Sequence, residues 1–168
     1  MPTYKKTASV TAILKEAKGD FLDAAEMMAE RKERTVFTLG GLLAYIKRND
    51  TFLDIVEKDG DGNEVPVYPA GLAGFNAYVK DALGIEPRSA DYYVNLYEMF
   101  SQVTTEAKIA KIGWTKLREL LPLKKNIDKD NVDDWLKKAK TETTAELHES
   151  VRKTLVDSDE DTHGNHGS

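Results

Sequence analysis

From Ser9 the apolar positions recur at Val10, Ile13, Leu14, Ala17, Phe21, Ala24 or Ala25, and Met28, the three-and-four spacing of an amphipathic helix. Gly19 weakens a helix interior and Asp20 is a helix-opening residue type, so the spacing predicts one long helix or two that meet at Gly19-Asp20. Lys15, Glu16, Lys18, Glu26 and Glu30 mark the polar side, and the apolar side needs a core or a second copy to cover it. A further helix is predicted from Thr38 as N-cap, burying Leu39, Leu42, Leu43 and Ile46 before the stop Lys47-Arg48-Asn49-Asp50. Gly40 and Gly41 suit either the close approach of another helix or an anion on their amides, though the Lys-Ser/Thr of a phosphate loop is missing.

Between Phe52 and Tyr68 the period changes. Two short β-type runs flank Lys58-Asp59-Gly60-Asp61-Gly62-Asn63, which predicts a small β-hairpin with Pro66 on an edge strand. The spacing Asp59-x-Asp61-x-Asn63 invites a calcium loop, but the sixth position is Glu64 instead of Gly and the twelfth is Ala70 instead of Glu. Helical spacing then returns. Leu72, Phe75, Val79 and Leu83 define one helix ending at Gly84, and Pro87 opens the next after a three-residue link. Leu117, Leu120 and Leu121 mark a short helix opened by Thr115 and halted at Pro122; Asp130 is the expected cap of a helix burying Val132, Trp135, Leu136 and Ala139. Thr143 with Glu146 forms a capping box ahead of Leu147, Val151 and Leu155. The fold class expected is mostly α: seven or eight helices and a small β-hairpin. The expected division is 1–70 for the N-terminal helices and hairpin, 71–156 for a compact helical domain, and 157–168 for a disordered acidic tail.

Composition narrows the chemistry. The 168 residues contain no cysteine, which excludes disulfides, thiolate metal sites and a cysteine nucleophile. No run approaches a membrane span, and Met1-Pro2-Thr3-Tyr4-Lys5-Lys6 leads into no signal-like apolar stretch, so a soluble protein of the cytoplasm is expected. The net charge of −5 is uneven: the four acids from Asp157 to Asp161 carry most of it, whereas residues 105–125 hold Lys108, Lys111, Lys116, Arg118, Lys124 and Lys125 against Glu106 and Glu119. That local excess reads as a phosphate-facing patch or as a solvated helix face. His148, His163 and His166 sit in no catalytic or metal-ligating pattern, no glycine fingerprint or Ser/His/Asp order is present, and an enzyme is not expected.

The stretch from Gly74 to Leu96 has the length and punctuation of a helix-turn-helix. With Gly84 in the ninth place, Val79, Leu83, Ile85, Ala90 and Tyr93 fill the places that must be apolar, while Lys80 stands where Ala or Gly is usual. Leu83-Gly84-Ile85-x-x-Arg88-Ser89, then Ile109-Ala110-Lys111-Ile112-Gly113-Trp114-Thr115-Lys116-Leu117-Arg118, then Thr141 to Arg152 together resemble the DNA-binding domain of ParB and KorB partition proteins, over residues 71–155. The chain is also similar to phage and mobile-element proteins that carry an Ile-Gly-Trp-Thr-Lys segment. The paired arginines of the ParB nucleotide-binding signature are absent, so no cofactor is implied.

The resemblance implies a non-enzymatic, double-stranded-DNA-binding protein of phage or plasmid type, acting in host cytoplasm when phage-encoded. In that reading the first turn of the second helix enters the major groove with Arg88 and Ser89 nearest the bases and Tyr92 and Asn95 behind. Lys108, Lys111, Lys116, Arg118, Lys124 and Lys125 supply phosphate contacts. A homodimer is expected, because one such module reads too few base pairs. The residues leave a second reading open. Ala90, Val94, Tyr97 and Phe100 form one apolar stripe of the second helix and Tyr92, Leu96 and Met99 another, and a helix apolar on two faces is either enclosed or presents one stripe to a protein partner.

Overall fold

The computed structural model describes residues 4–30 and 35–164, with side chains through Ser158. The chain divides into two compact units, residues 1–98 and 99–168. Residues 71–98, grouped by sequence with the C-terminal helices, therefore belong to the first unit.

The first unit is built on α1 (Ala8–Glu16), α2 (Phe21–Glu30) and α3 (Val36–Asn49). The break between α1 and α2 falls at the glycine that the pattern singled out. Lys18 and Gly19 both adopt left-handed φ values of 55° and 86°, and the Asp20 carboxylate accepts from the Leu22 and Asp23 amides at 2.9 and 3.1 Å, opening α2. Helix α2 packs on α3, and α1 on both. Helix α3 begins three residues earlier than expected: Thr35 is its cap, accepting from the Thr38 amide at 3.2 Å, while Thr38 is buried inside the first turn. From Phe37 to Ala44 every residue of α3 is buried.

A 3-10 turn (Thr51–Asp54) leads into the antiparallel hairpin β1 (Val56–Lys58) and β2 (Glu64–Pro66), registered Val56 to Pro66 and Lys58 to Glu64. In its loop the Asp59 carboxylate accepts from the Asp61 and Asn63 amides at 2.9 and 3.0 Å, an Asx-type closure that uses this carboxylate locally. Helix α4 (Leu72–Leu83) packs on α2 and the 3-10 turn, with Phe75, Tyr78 and Val79 buried. Leu72, expected inside, is 60% exposed. The entry to α4 is fixed instead by Gly74, where a Cβ would lie 1.5 Å from the Pro69 carbonyl oxygen.

The second unit contains α6 (Glu106–Ala110), α7 (Trp114–Arg118), a 3-10 turn (Leu121–Leu123) that includes Pro122, α8 (Val132–Thr141) and α9 (Thr144–Gly164). Helix α9 packs on α8 and on the 3-10 turn. Its capping box is reciprocal: Thr143 Oγ1 accepts from the Glu146 amide at 3.2 Å, and the Glu146 carboxylate accepts from the Thr143 amide at 3.1 Å. Asn131, and not Asp130, stands at the N-cap of α8, and the turn ahead of it is closed by the Asp128 carboxylate, which accepts from the Asp130 and Asn131 amides. Val132, Trp135, Leu136 and Ala139 are buried as the spacing predicts. Residues 157–164, expected in a disordered tail, continue α9, since extending a helix already nucleated is far easier than starting one. Residues 165–168, His166 among them, and the side chain of His163 lie outside the described residues. The architecture is mostly α with one small antiparallel hairpin, and no helix among the described residues is long and apolar enough to cross a membrane.

Candidate nucleic-acid interface

Helix α4 ends where Gly84 turns left-handed at φ 66°, and both the Gly84 and Ile85 amides donate to the Val79 carbonyl. Three residues later Pro87 opens α5 (Pro87–Phe100). Of the places that a helix-turn-helix keeps apolar, Val79, Ile85 and Ala90 are buried and Leu83 and Tyr93 half-buried. Lys80 is exposed, so the unusual residue at the fifth place is tolerated because its side chain stands in solvent.

The inner face of α5 is set by α3. A Cβ on Gly40 would lie 2.1 Å from the Tyr93 carbonyl oxygen, and one on Gly41 would meet Val10 and the Tyr97 ring at 2.5 to 2.6 Å. The glycine pair therefore serves close approach, the first of the two uses it suits, and both residues are buried. The Tyr97 hydroxyl donates to the Lys5 carbonyl and accepts from the Thr7 amide at 3.1 Å, which ties α5 to the chain ahead of α1.

Outward, Arg88, Asp91, Tyr92 and Asn95 share one helical stripe, and exposure falls along it. Arg88 and Asp91 are exposed, Ser89, Tyr92 and Asn95 half-buried. Asn95 donates one N–H of its side-chain amide to the Asp91 carbonyl at 2.8 Å, so that hydrogen is used within the helix. The acids on α5 are balanced by the last turn of α3: Lys47 approaches Asp91 at 4.0 Å and Arg48 approaches Glu98 at 3.9 Å. Among the described residues Arg88 has no ion-pair partner, and it is the one cation within α5.

The second apolar stripe of α5 is not a surface. Leu96 is 0% and Met99 5% exposed, and only Tyr92 of the three is part-open, its ring beside that of Tyr93. The protein contact left open through Tyr92, Leu96 and Met99 is thus corrected: Leu96 and Met99 lie inside, and of that stripe Tyr92 alone reaches solvent, in part.

The basic segment lies in the second unit, apart in sequence from α5, and its members divide by role. Lys108 pairs with Asp133 at 3.4 Å. Lys116 is half-buried and donates to the carbonyl of Glu142, the residue that ends α8, so it closes that helix where the free carbonyls favour a cation. Lys124 is half-buried, while Lys111, Arg118 and Lys125 are exposed. Glu119 meets His148 at 3.1 Å. Trp135 is buried with Lys138 over its ring, and Trp114 is half-buried.

Lys137 and Lys140, outside the basic segment of residues 105–125, line a groove together with Lys108 and Lys111. Their signal was the spacing Asp133, Leu136, Lys137, Lys140, one continuous face of α8. Among the described residues no group of three or more His, Cys, Asp or Glu side chains is placed to hold a metal ion. No known protein family, curated protein or solved structure matches the chain.

Proposed function

We propose that the protein is a non-enzymatic DNA-binding protein of phage or plasmid type, serving the regulation or maintenance of such an element, with α4, the Gly84 turn and α5 as its helix-turn-helix. The observation that carries this reading is the opening of α5: Pro87-Arg88-Ser89 follows a left-handed glycine turn, with Arg88 exposed and the acids behind it balanced by Lys47 and Arg48. The phage or plasmid setting is drawn from the likeness of residues 71–155 to ParB and KorB domains. In this reading Arg88 addresses a guanine, Ser89 supports it, and Tyr92 contributes its half-open ring. Within the second unit, taken by itself, Lys111, Arg118 and Lys125 are the exposed cations suited to phosphate contacts, whereas Lys116 is withdrawn from that role because its ammonium closes α8.

Fluorescence anisotropy of the full chain against a random duplex pool, repeated over a salt series, tests the reading. Binding should weaken steeply with salt, and Arg118→Ala with Lys125→Ala should lower the slope by about one for each contact removed. On a selected site Arg88→Ala should cost about 1–3 kcal/mol, with a smaller loss on the random pool. Lys116→Ala should lower stability and leave the slope unchanged. Absence of binding at low salt overturns the reading.

A further inference from the structure

Between α6 and α8 of the second unit lies a groove of about 210 Å³. Its floor is Ile112 and Leu136; Lys108 and Lys111 stand on one side and Lys137 and Lys140 on the other. Asp133, already paired with Lys108, is the one carboxylate in the lining. A phosphodiester backbone is bound by charge and gains nothing from an apolar floor. Ammonium groups around an apolar floor fit a different occupant, an aliphatic side chain flanked by carboxylates.

The chain itself supplies such a segment. Near the end of α9 the sequence reads Leu155-Val156-Asp157-Ser158-Asp159-Glu160-Asp161, and Val156 is 43% exposed, one of few large apolar side chains left open. Helix α9 packs on α8 and the 3-10 turn of its own unit, and Asn126 donates to Ser158 at 3.4 Å, a bond the segment would have to give up to turn back on its own groove. A second copy receives it without that loss. We propose that the Leu155–Asp161 segment of one copy, apolar at Val156 and acidic in sequence beyond it, seats in the lysine-rimmed groove of another, with Val156 against Ile112 and Leu136. Exchanged in both directions, the contact closes a two-fold dimer. This inference stands apart from the DNA reading and survives its failure.

Sedimentation of the full chain over a concentration series, at low and high salt, is the test. The native protein should dimerise, and salt should weaken the dimer because its rim charges are solvent-screened. Two variants decide the contact: Lys137→Glu/Lys140→Glu reverses the groove, and Asp157→Lys/Asp159→Lys/Glu160→Lys/Asp161→Lys reverses the segment. Each alone should associate at least about tenfold more weakly, since like charges then face each other. Mixed, they should form a one-to-one heterodimer, because each reversed surface meets its complement; recovery in the mixture also shows that both are folded. A native chain that stays monomeric, variants that dimerise like the native chain, or a mixture that stays monomeric overturns the proposal. So does a groove reversal that abolishes DNA binding and leaves the oligomeric state unchanged, which would assign the groove to phosphate.

Discussion

Gly40→Ala sets two opposed effects against each other. Alanine is favoured over glycine within a helix by about 1 kcal/mol, and position 40 lies inside α3 with no positive φ to strain the substitution. Against this, the new Cβ would lie 2.1 Å from the Tyr93 carbonyl oxygen and 2.7 Å from its carbon, both rigid backbone atoms of α5. Contact requires α3 and α5 to part by more than an ångström, and forcing extra volume into such a seam costs about 1–3 kcal/mol. The separation also strains the hydrogen bonds of Tyr97 to Lys5 and Thr7, worth about 1 kcal/mol each. The net expectation is a loss of about 2–4 kcal/mol from the first unit. Both tryptophans lie in the second unit, so urea unfolding is best followed by tyrosine fluorescence and far-ultraviolet circular dichroism, with tryptophan emission reporting the other unit. Gly60→Ala is the control, since nothing lies within 4 Å of its Cβ and no positive φ is recorded there. A Gly40→Ala protein as stable as the native one would refute the tight seam and with it the positioning of α5.

Two tyrosines buried in the same unit should respond in opposite directions to loss of the hydroxyl. The Tyr78 hydroxyl is buried without a hydrogen-bond partner among the described residues, and burial drives its pKa upward, so Tyr78→Phe should raise stability by about 1 kcal/mol. Tyr97→Phe, which leaves the Thr7 amide and Lys5 carbonyl without their partner, should lower it by a similar or larger amount in the same urea titration. At the start of α9, backbone and side-chain hydrogen bonds from Thr143 hold the Glu146 carboxyl below the usual glutamate range. A depressed folded-state pKa gives stability that is present above the unfolded-state value and lost as pH falls through the folded one. Glu146→Gln should therefore be less stable than native at neutral pH and converge with it in acid, as melting temperatures over a pH series would show.

What could be read in the sequence was what local chemistry decides. Gly19-Asp20 broke α1 from α2, Gly84 and Pro87 bracketed a turn, and Thr143 with Glu146 capped α9, because each depends on atoms within a few residues. The start of α3 differs from the expected one because Thr35 and Thr38 are both competent caps, and only burial separates them: Thr38 is inside. The roles in the candidate site depended on distant partners. Lys116 and Glu142 are 26 residues apart, so the same lysine reads as a phosphate contact in sequence and as a helix closure in three dimensions. The stripe of Tyr92, Leu96 and Met99 could not be assigned to surface or interior without knowing what covers it. Lys137 and Lys140 carry no signal in sequence of the groove they line, because the period of α8 marks its buried face and says nothing of which neighbour lies beside the adjoining one.

The enclosure of α3 from Phe37 to Ala44 bears on how the chain tolerates change. A helix with one solvent face accepts substitutions in a rhythm of three to four residues, as α8 should, where Asp133, Asp134, Lys137, Lys138 and Lys140 alternate with buried positions. Helix α3 offers no such rhythm: side chains fill one part of its circumference and Gly40 and Gly41, where α5 lies close, fill another. In a saturation scan it should stand out as an unbroken intolerant block, and insertions, tags or labelling handles belong at the Asp59–Asn63 hairpin loop, where the chain meets solvent on every residue.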